Sequence, residues 1–399
     1  MTRSRGALSG GALRWLTPQW AVDAALATRR HAPSALIDPL EERAGLRAGE
    51  SSWPTRSPGE PVALIGPVNY AGQAGLWARA VTASGIPTLS MGIVNSYDFP
   101  VDLRVPRAAY LSSSWARAQE RFVLDHVSHV VFEAGRPVLG LRYGSTVRGD
   151  ARVLRRAGLQ VAHVCHGTDV RSPRRHAQST PFSPYAADPS QWRAYEAMAA
   201  QHRRAIERAG GPVFVSTPDL LADLPRAQWC PIVVDPERWV TTQPPLTEGV
   251  PLVVHAPTSG PLKGSAIIDA TLGALQDAGR VRYVRAQGLR HEDMRALIRE
   301  ADIVIDQMAL GIYSVTALEA MAAGRVTLAA VEPIRDFVRQ VSGLEVPMPQ
   351  VDPVTLPTVL DRILEDRAWA QGLAARGPSY VRALHDGRYS AQVLGTFLA

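Results

Sequence analysis

A chain of 399 residues, 46% hydrophobic and 20% charged, is too long for one core and too apolar for extensive disorder, so two α/β lobes are expected. Its only cysteines, Cys165 and Cys230, make neither a disulfide framework nor a zinc-binding spacing, which points to the reducing cytoplasm. The net charge of +6 sits in residues 61–235, where 19 arginines face 13 acids; their scatter without interleaved aromatics argues against a nucleic-acid partner and for an anionic acceptor or membrane face.

Residues 1–60, rich in Gly, Ser, Pro and Ala, read as an N-terminal extension and linker, with the linker over 47–61. Leu13, Trp15, Leu16, Trp20, Val22 and Leu26 form an apolar stripe there. It is expected to bury against the first lobe, with peripheral contact at the inner face of a membrane as the alternative. Arg14 breaks the apolar run that a signal peptide needs, and no later stretch reaches membrane-spanning length.

A first, acceptor-side lobe over 61–240 opens with a strand at 61–65, a glycine-containing loop at 66–73, a helix at 74–84 and a strand at 86–91. The alternation continues with a helix at 115–125, strand 129–132, helix 147–157 and strand 159–165. After a polar stretch at 171–189 come a helix at 192–209 and a strand at 213–216. Such alternation predicts a parallel sheet. The Pro- and Thr-rich segment 241–251 links to a second lobe over 241–385, with strands at 252–255, 281–285, 303–305 and 326–331. Helices starting at Ser265, His291 and Val315 separate them, and the tail from Val354 is helical. A terminal helix at 386–399 can reach back to the first lobe. The predicted architecture is two Rossmann-like lobes facing a cleft.

Residues 301–324 are the most informative: a buried strand ending at Asp306, a glycine-led turn, and a helix starting near Ser314 and closing at Gly324. Unpaired amides at such a helix start, with the helix dipole, bind a diphosphate well. Glu319 stands in that helix where a carboxylate can accept both hydroxyls of a ribose; taken alone it would be a solvated helix glutamate. Segment 253–265 is a strand running into a Thr/Ser/Gly loop that holds Thr258, Ser259 and Lys263, the sole lysine among 43 Lys and Arg. Its Lys-Gly-Ser order and glycine spacing do not make a Walker motif, which disfavours an ATPase. His166 ends the strand at 159–165 and precedes Gly167, Asp169 and Arg171. That position suits a ligand-facing histidine and equally a histidine that closes a sheet edge. Asn69 and Gly72 are the expected contacts of the loop at 66–73.

In Glu319-Ala-Met-Ala-Ala-Gly324 the chain resembles the retaining GT-B-fold glycosyltransferases of the family 4, or group 1, kind, whose signature is Glu-x7-Glu in that context. Gly311 occupies the position of the first glutamate, so Asp306 and Gln307 are the expected substitutes. The likeness is specific over 250–331 and extends to 60–235. It implies that Thr258, Ser259, Lys263, Asp306, Gln307, Gly311, Tyr313, Ser314 and Glu319 bind the donor, with Lys263 stabilising the departing diphosphate. It also implies that His166 faces the reacting sugar, and that Asn69, Gly72, Asp169 and Arg171 line the acceptor side. Anomeric configuration would be retained, a phosphate oxygen taking the acceptor proton.

No Asp-x-Asp triplet and no His/Cys cluster occurs, so neither metal nor cofactor is expected. The expected partners are a nucleotide-sugar donor and a glycan, lipid-linked or small-molecule acceptor, in cell-envelope or exopolysaccharide synthesis. Two rivals remain: an epimerase or phosphorylase of the same fold, and a non-catalytic protein that binds nucleotide sugars or glycans. A phosphorylase would need its lysine for pyridoxal phosphate, and one lysine cannot easily serve both roles.

Overall fold

The computed structural model describes residues 53–57, 59–94, 99–186 and 188–399; the apolar stripe at 13–26 lies outside them. The first lobe contains strands β1 (Val62–Gly66), β2 (Thr88–Ile93), β3 (Leu103–Val105), β4 (Val127–Glu133), β5 (Gln160–Cys165), β6 (Val213–Val215) and β7 (Gln228–Trp229). All pair in parallel, in the order β3-β2-β1-β4-β5-β6-β7. Its main helices are α1 (Gln73–Ala83), α2 (Ser113–His126), α3 (Val147–Arg156), α4 (Pro173–Ser179) and α5 (Arg193–Ala209). Every residue of β1 is buried, because parallel strands are covered on both faces and read as continuous apolar runs.

The second lobe repeats the plan with β8 (Leu252–His255), β9 (Arg282–Arg285), β10 (Ile303–Gln307) and β11 (Val326–Ala329), parallel in the order β11-β10-β8-β9. Helices α6 (Ser265–Asp277), α7 (His291–Glu300), α8 (Val315–Ala322) and α9 (Glu332–Ser342) surround it, followed by α10 (Leu356–Glu365), α11 (Arg367–Leu384) and α12 (Arg388–Leu398). Ala391, Leu394 and Leu398 of α12 share a buried cluster with Trp77 and Ala78 of α1, so the chain ends on the lobe it began with.

Strand order reverses between β1 and β4 in one sheet and between β8 and β10 in the other. In open α/β sheets the crevice beyond the strand ends at such a point takes the ligand. The carboxyl ends of the two sheets face each other. Phe99, after β2, packs its ring 5.5 Å from that of His291, after β9. His176, after β5, donates from Nε2 to the Leu310 carbonyl, after β10, at 3.1 Å.

The alternation places the main strands, and the differences have local causes. β3 is three residues long between Pro100 and Pro106, too short to show a period. α4 lies in the stretch read only as polar, and its start was legible: Ser172 Oγ accepts from Arg175 N at 3.2 Å and Pro173 takes the first helical position. The last strand, expected over 326–331, stops at Ala329, and α9 follows with Pro333 in its first turn. Residues before β1 are not a free linker throughout, since Trp53 Nε1 donates to Gln119 at 2.6 Å and packs on the first lobe.

Candidate functional site

At the second switch point, Asp306 stands at the end of β10, 1% exposed. Its carboxylate accepts from the Ser314 amide and hydroxyl, both at 2.7 Å, and pairs with the Lys263 ammonium. Lys263 Nζ also donates to Ser314 Oγ at 2.8 Å. The lysine comes from the short helical turn Gly260–Lys263 after β8, and Met308 N donates to the Lys263 carbonyl at 3.0 Å, which ties that turn to the end of β10. Helix α8 starts at this cluster. Its first intrahelical bond runs from Leu318 N to the Ser314 carbonyl at 3.2 Å, so the amides of Val315, Thr316 and Ala317 lie ahead of it without intrahelical partners. A cation beside an open helix start suits a phosphate-bearing ligand.

One turn further along α8, Glu319 is buried and 3.2 Å from His291 Nε2. Burial raises its proton affinity, while His291 opposes that. His291 sits at the lobe seam, its ring near both Phe99 and, at 5.8 Å, Trp239. Thr258 is exposed and Ser259 half-buried at the mouth of the same turn.

The first switch point holds a carboxylate that sequence reading passed over. Glu133, the last residue of β4, is 0% exposed, and its Oε2 accepts from the amides of Val68 at 2.9 Å and Asn69 at 2.7 Å. Its Oε1 lies 2.9 Å from His166 Nε2 at the end of β5. The imidazole stacks on Trp77, with ring centroids 5.4 Å apart, and meets the edge of Tyr70 at the same separation. Burial alone would lower the proton affinity of His166; the Glu133 hydrogen bond and charge, with Asp169, leave it above the ordinary histidine value.

The other expected contacts hold the framework. Asn69 is buried, its Oδ1 accepting from Gly75 N at 3.2 Å at the start of α1. Gly72, at φ +78°, lets the Phe99 ring approach to within 3.1 Å of where a Cβ would stand. Asp169 accepts from the amides of His166 and Gly167, the latter at 2.6 Å, which fixes the turn after β5. Arg171 is not free for an acceptor: it is buried and pairs with Asp219 at 2.7 Å. Gln307 is likewise saturated, accepting from Ala309 N and Leu310 N and donating to the Ile312 and Ala330 carbonyls. It shapes the 308–313 loop from inside. Tyr313 lies in the core, its hydroxyl 2.9 Å from that of Tyr380 and 3.1 Å from His385 Nε2.

Gly311, at φ +70°, is packed so closely that a Cβ would fall 2.9 Å from Pro333 Cγ and 3.3 Å from Thr180 Cγ2. The position that carries a glutamate in the resembled signature cannot hold one here. Asp306 and Gln307, the expected substitutes, are both hydrogen-bonded within their own loop.

Among the described residues no group of three His, Cys, Asp or Glu could hold a metal ion, and no helix is long and apolar enough to cross a membrane. No family model matches the chain, and no curated protein matches it in sequence. Its structural neighbours include GT-B glycosyltransferases. Sucrose-phosphate synthase from Thermosynechococcus elongatus is 16% identical, with 84% of this chain and 98% of that one covered and a TM-score of 0.53. WaaG, a glycosyltransferase involved in lipopolysaccharide biosynthesis, is 16% identical over 84% of this chain and 99% of its own, with a TM-score of 0.50. A glycosyltransferase from Rickettsia africae ESF-5 is 11% identical over 85% and 97%, with a TM-score of 0.52. At these identities the likeness is one of fold: two parallel-sheet α/β lobes in the GT-B arrangement.

Proposed function

We propose that the chain is a glycosyltransferase that moves a sugar from a nucleoside-diphosphate sugar, held by residues 241–385, to an acceptor hydroxyl presented by residues 61–240. The observation that carries this reading is the cluster of Lys263, Asp306 and Ser314 at the open start of α8, on the second sheet's switch point. A diphosphate seated there would accept from the free amides of α8 and draw Lys263 toward it, and charge developing on the leaving group would be met by groups already in place. Glu319, one turn along, is placed for the ribose, with His291 beside it. The absence of an Asp-x-Asp triplet supports transfer without a divalent metal, testable as activity that survives a chelator.

The likeness of segment 319–324 to the retaining class favours retention, a phosphate oxygen taking the proton. The Glu133–His166 pair favours a second course, in which a side chain takes it. The anomeric configuration of the first product, read by proton NMR, separates them. An epimerase would instead alter the donor without an acceptor, and a binding protein would hold it unchanged.

The deciding experiment mixes the purified protein with a panel of nucleotide sugars and records saturation-transfer binding and donor hydrolysis, for the wild type and Lys263→Ala. Selective binding of one donor, weakened by the substitution, supports the reading and names the sugar for an acceptor search. No binding by the wild type would sink it.

A further inference from the structure

We propose that the pocket between α4 and the start of α5 holds an anionic sugar unit of the acceptor, one that carries a carboxylate or a phosphate, set back from the hydroxyl that reacts. The proposal rests on the glycosyl-transfer reading and deepens it by naming the class of acceptor that the first lobe presents.

The pocket lies beyond the carboxyl end of β5, between the helix that leaves that strand and the helix that leads into β6. Its volume of about 370 Å³ is that of a site for one small molecule. One wall is aromatic and fixed. Tyr185 is 2% exposed and meets the ring of His176 edge-on at 5.2 Å and that of Trp192 at 5.0 Å. Trp192 is half-buried and lines the pocket beside Ala177.

The rim is polar and free. Arg174, Gln178 and Arg193 are exposed, and among the described residues no hydrogen bond or ion pair engages their side chains. The one carboxylate of the lining, Glu196, is already occupied: it accepts from Ser172 Oγ at 2.8 Å and from Arg174 N at 2.9 Å, and the Arg203 guanidinium stands 3.6 Å away. Two unpaired guanidiniums favour an anion, which each can grip through paired donors. A sugar ring suits the remainder, because its carbon–hydrogen face is apolar and its hydroxyl edge polar, the pairing that an indole wall and an amide-bearing rim offer. A bare anion would have no use for the aromatic wall, and a lipid tail none for the charged rim.

Helical spacing puts Pro173, Arg174, Ala177 and Gln178 on one face of α4. His176 leaves from another face and donates to the Leu310 carbonyl at 3.1 Å, and Thr180, just past the helix, stands against Gly311. The pocket is therefore set back from the lobe seam by the width of α4, about 10 Å. From Leu310 the chain reaches Ser314 and the start of α8 in four residues, a span of at most ~14 Å. A sugar held in the pocket is thus a unit behind the attacking one, and the acceptor has at least two units.

The test titrates ligands into the full chain and reads binding by saturation-transfer NMR. The anionic sugars are glucuronic acid, galacturonic acid and glucose 6-phosphate; glucose is the neutral control and inorganic phosphate the bare anion, each with and without saturating nucleotide sugar. At least one anionic sugar should bind more tightly than both controls, and the nucleotide sugar should not displace it. Arg174→Gln and Arg193→Gln, both at exposed positions where folding is not at risk, should each weaken that sugar about 10-fold, the loss of one charge-assisted hydrogen bond. Trp192→Leu should bring it down to the level of phosphate. With an acceptor that carries this sugar, Arg193→Gln should raise the acceptor KM by the same factor and leave the donor KM in place. Binding no tighter than the controls, displacement by the nucleotide sugar, or arginine variants that bind as the wild type does would each overturn the proposal while leaving glycosyl transfer standing. An anionic sugar that binds to a chain with no affinity for any nucleotide sugar overturns glycosyl transfer instead, and with it the pocket's role as an acceptor site.

Discussion

Restoring the missing signature glutamate, Gly311→Glu, should damage this protein. Gly311 holds φ +70°, a conformation that costs a residue with a side chain about 1–2 kcal/mol. A Cβ would stand 2.9 Å from Pro333 Cγ of α9 and 3.3 Å from Thr180 Cγ2 of the first lobe, both closer than ordinary contact. Forcing atoms into such a site costs about 1–3 kcal/mol more, so the expected loss is about 2–5 kcal/mol before any charge on the buried carboxylate is counted. The assay is urea unfolding followed by tryptophan fluorescence, with Gly311→Ala alongside to separate backbone and packing from the carboxylate. Both variants should unfold at lower urea, Glu at the lowest, and neither should bind donor more tightly. If Gly311→Glu kept the wild-type midpoint and raised donor turnover, the 308–313 loop would have opened to admit the side chain, and the claim that packing excludes it would be refuted.

Lys263→Ala should weaken donor binding and, by leaving the buried Asp306 carboxylate unpaired, cost about 3–5 kcal/mol. Lys263→Met with Asp306→Asn should recover most of that stability in a thermal melt without recovering the donor; a double variant as unstable as the single one would contradict this. His163 and His385 are both buried, and desolvation lowers each to about 4 from an ordinary 6.5. The unfolded chain binds those protons first, so stability is whole above pH ~6.5 and falls toward pH ~4, by on the order of 3 kcal/mol for each. Urea midpoints at pH 7 and 4.5 should show the drop, smaller in His385→Gln; equal drops in the two proteins would remove His385 as a cause. His176→Ala strips the Leu310 carbonyl of its donor across the lobe seam and should cost about 1–3 kcal/mol. Small-angle scattering should show its lobes more widely spread, and an unchanged profile would mean that other contacts hold the seam.

The two-lobed parallel architecture was legible because buried strands and amphipathic helices leave opposite hydrophobic periods in the chain. Lys263, Ser314 and His166 were singled out for one physical reason: each lies in the connection that leaves the carboxyl end of a strand, β8, β10 and β5, and strand ends are where such sheets expose chemistry. Glu133 was not. In sequence it is one acid at the end of an apolar run, and its meaning comes from His166, 33 positions later, on the strand that pairs beside it. His291 likewise looked like an ordinary helix start until α7 and α8 brought it to Glu319, 28 positions on.

Sequence alone therefore determined the order of elements, the parallel pairing class and which strand ends face a crevice, since those depend on local period and turn chemistry. Tertiary structure decided which polar groups remain free. Arg171, Gln307 and Tyr313 have the residue types of a binding site, yet Asp219, the 308–313 loop and the Tyr380–His385 pair take up their hydrogen-bonding groups. A side chain's availability depends on what the fold packs against it, and those partners lie far apart in the chain.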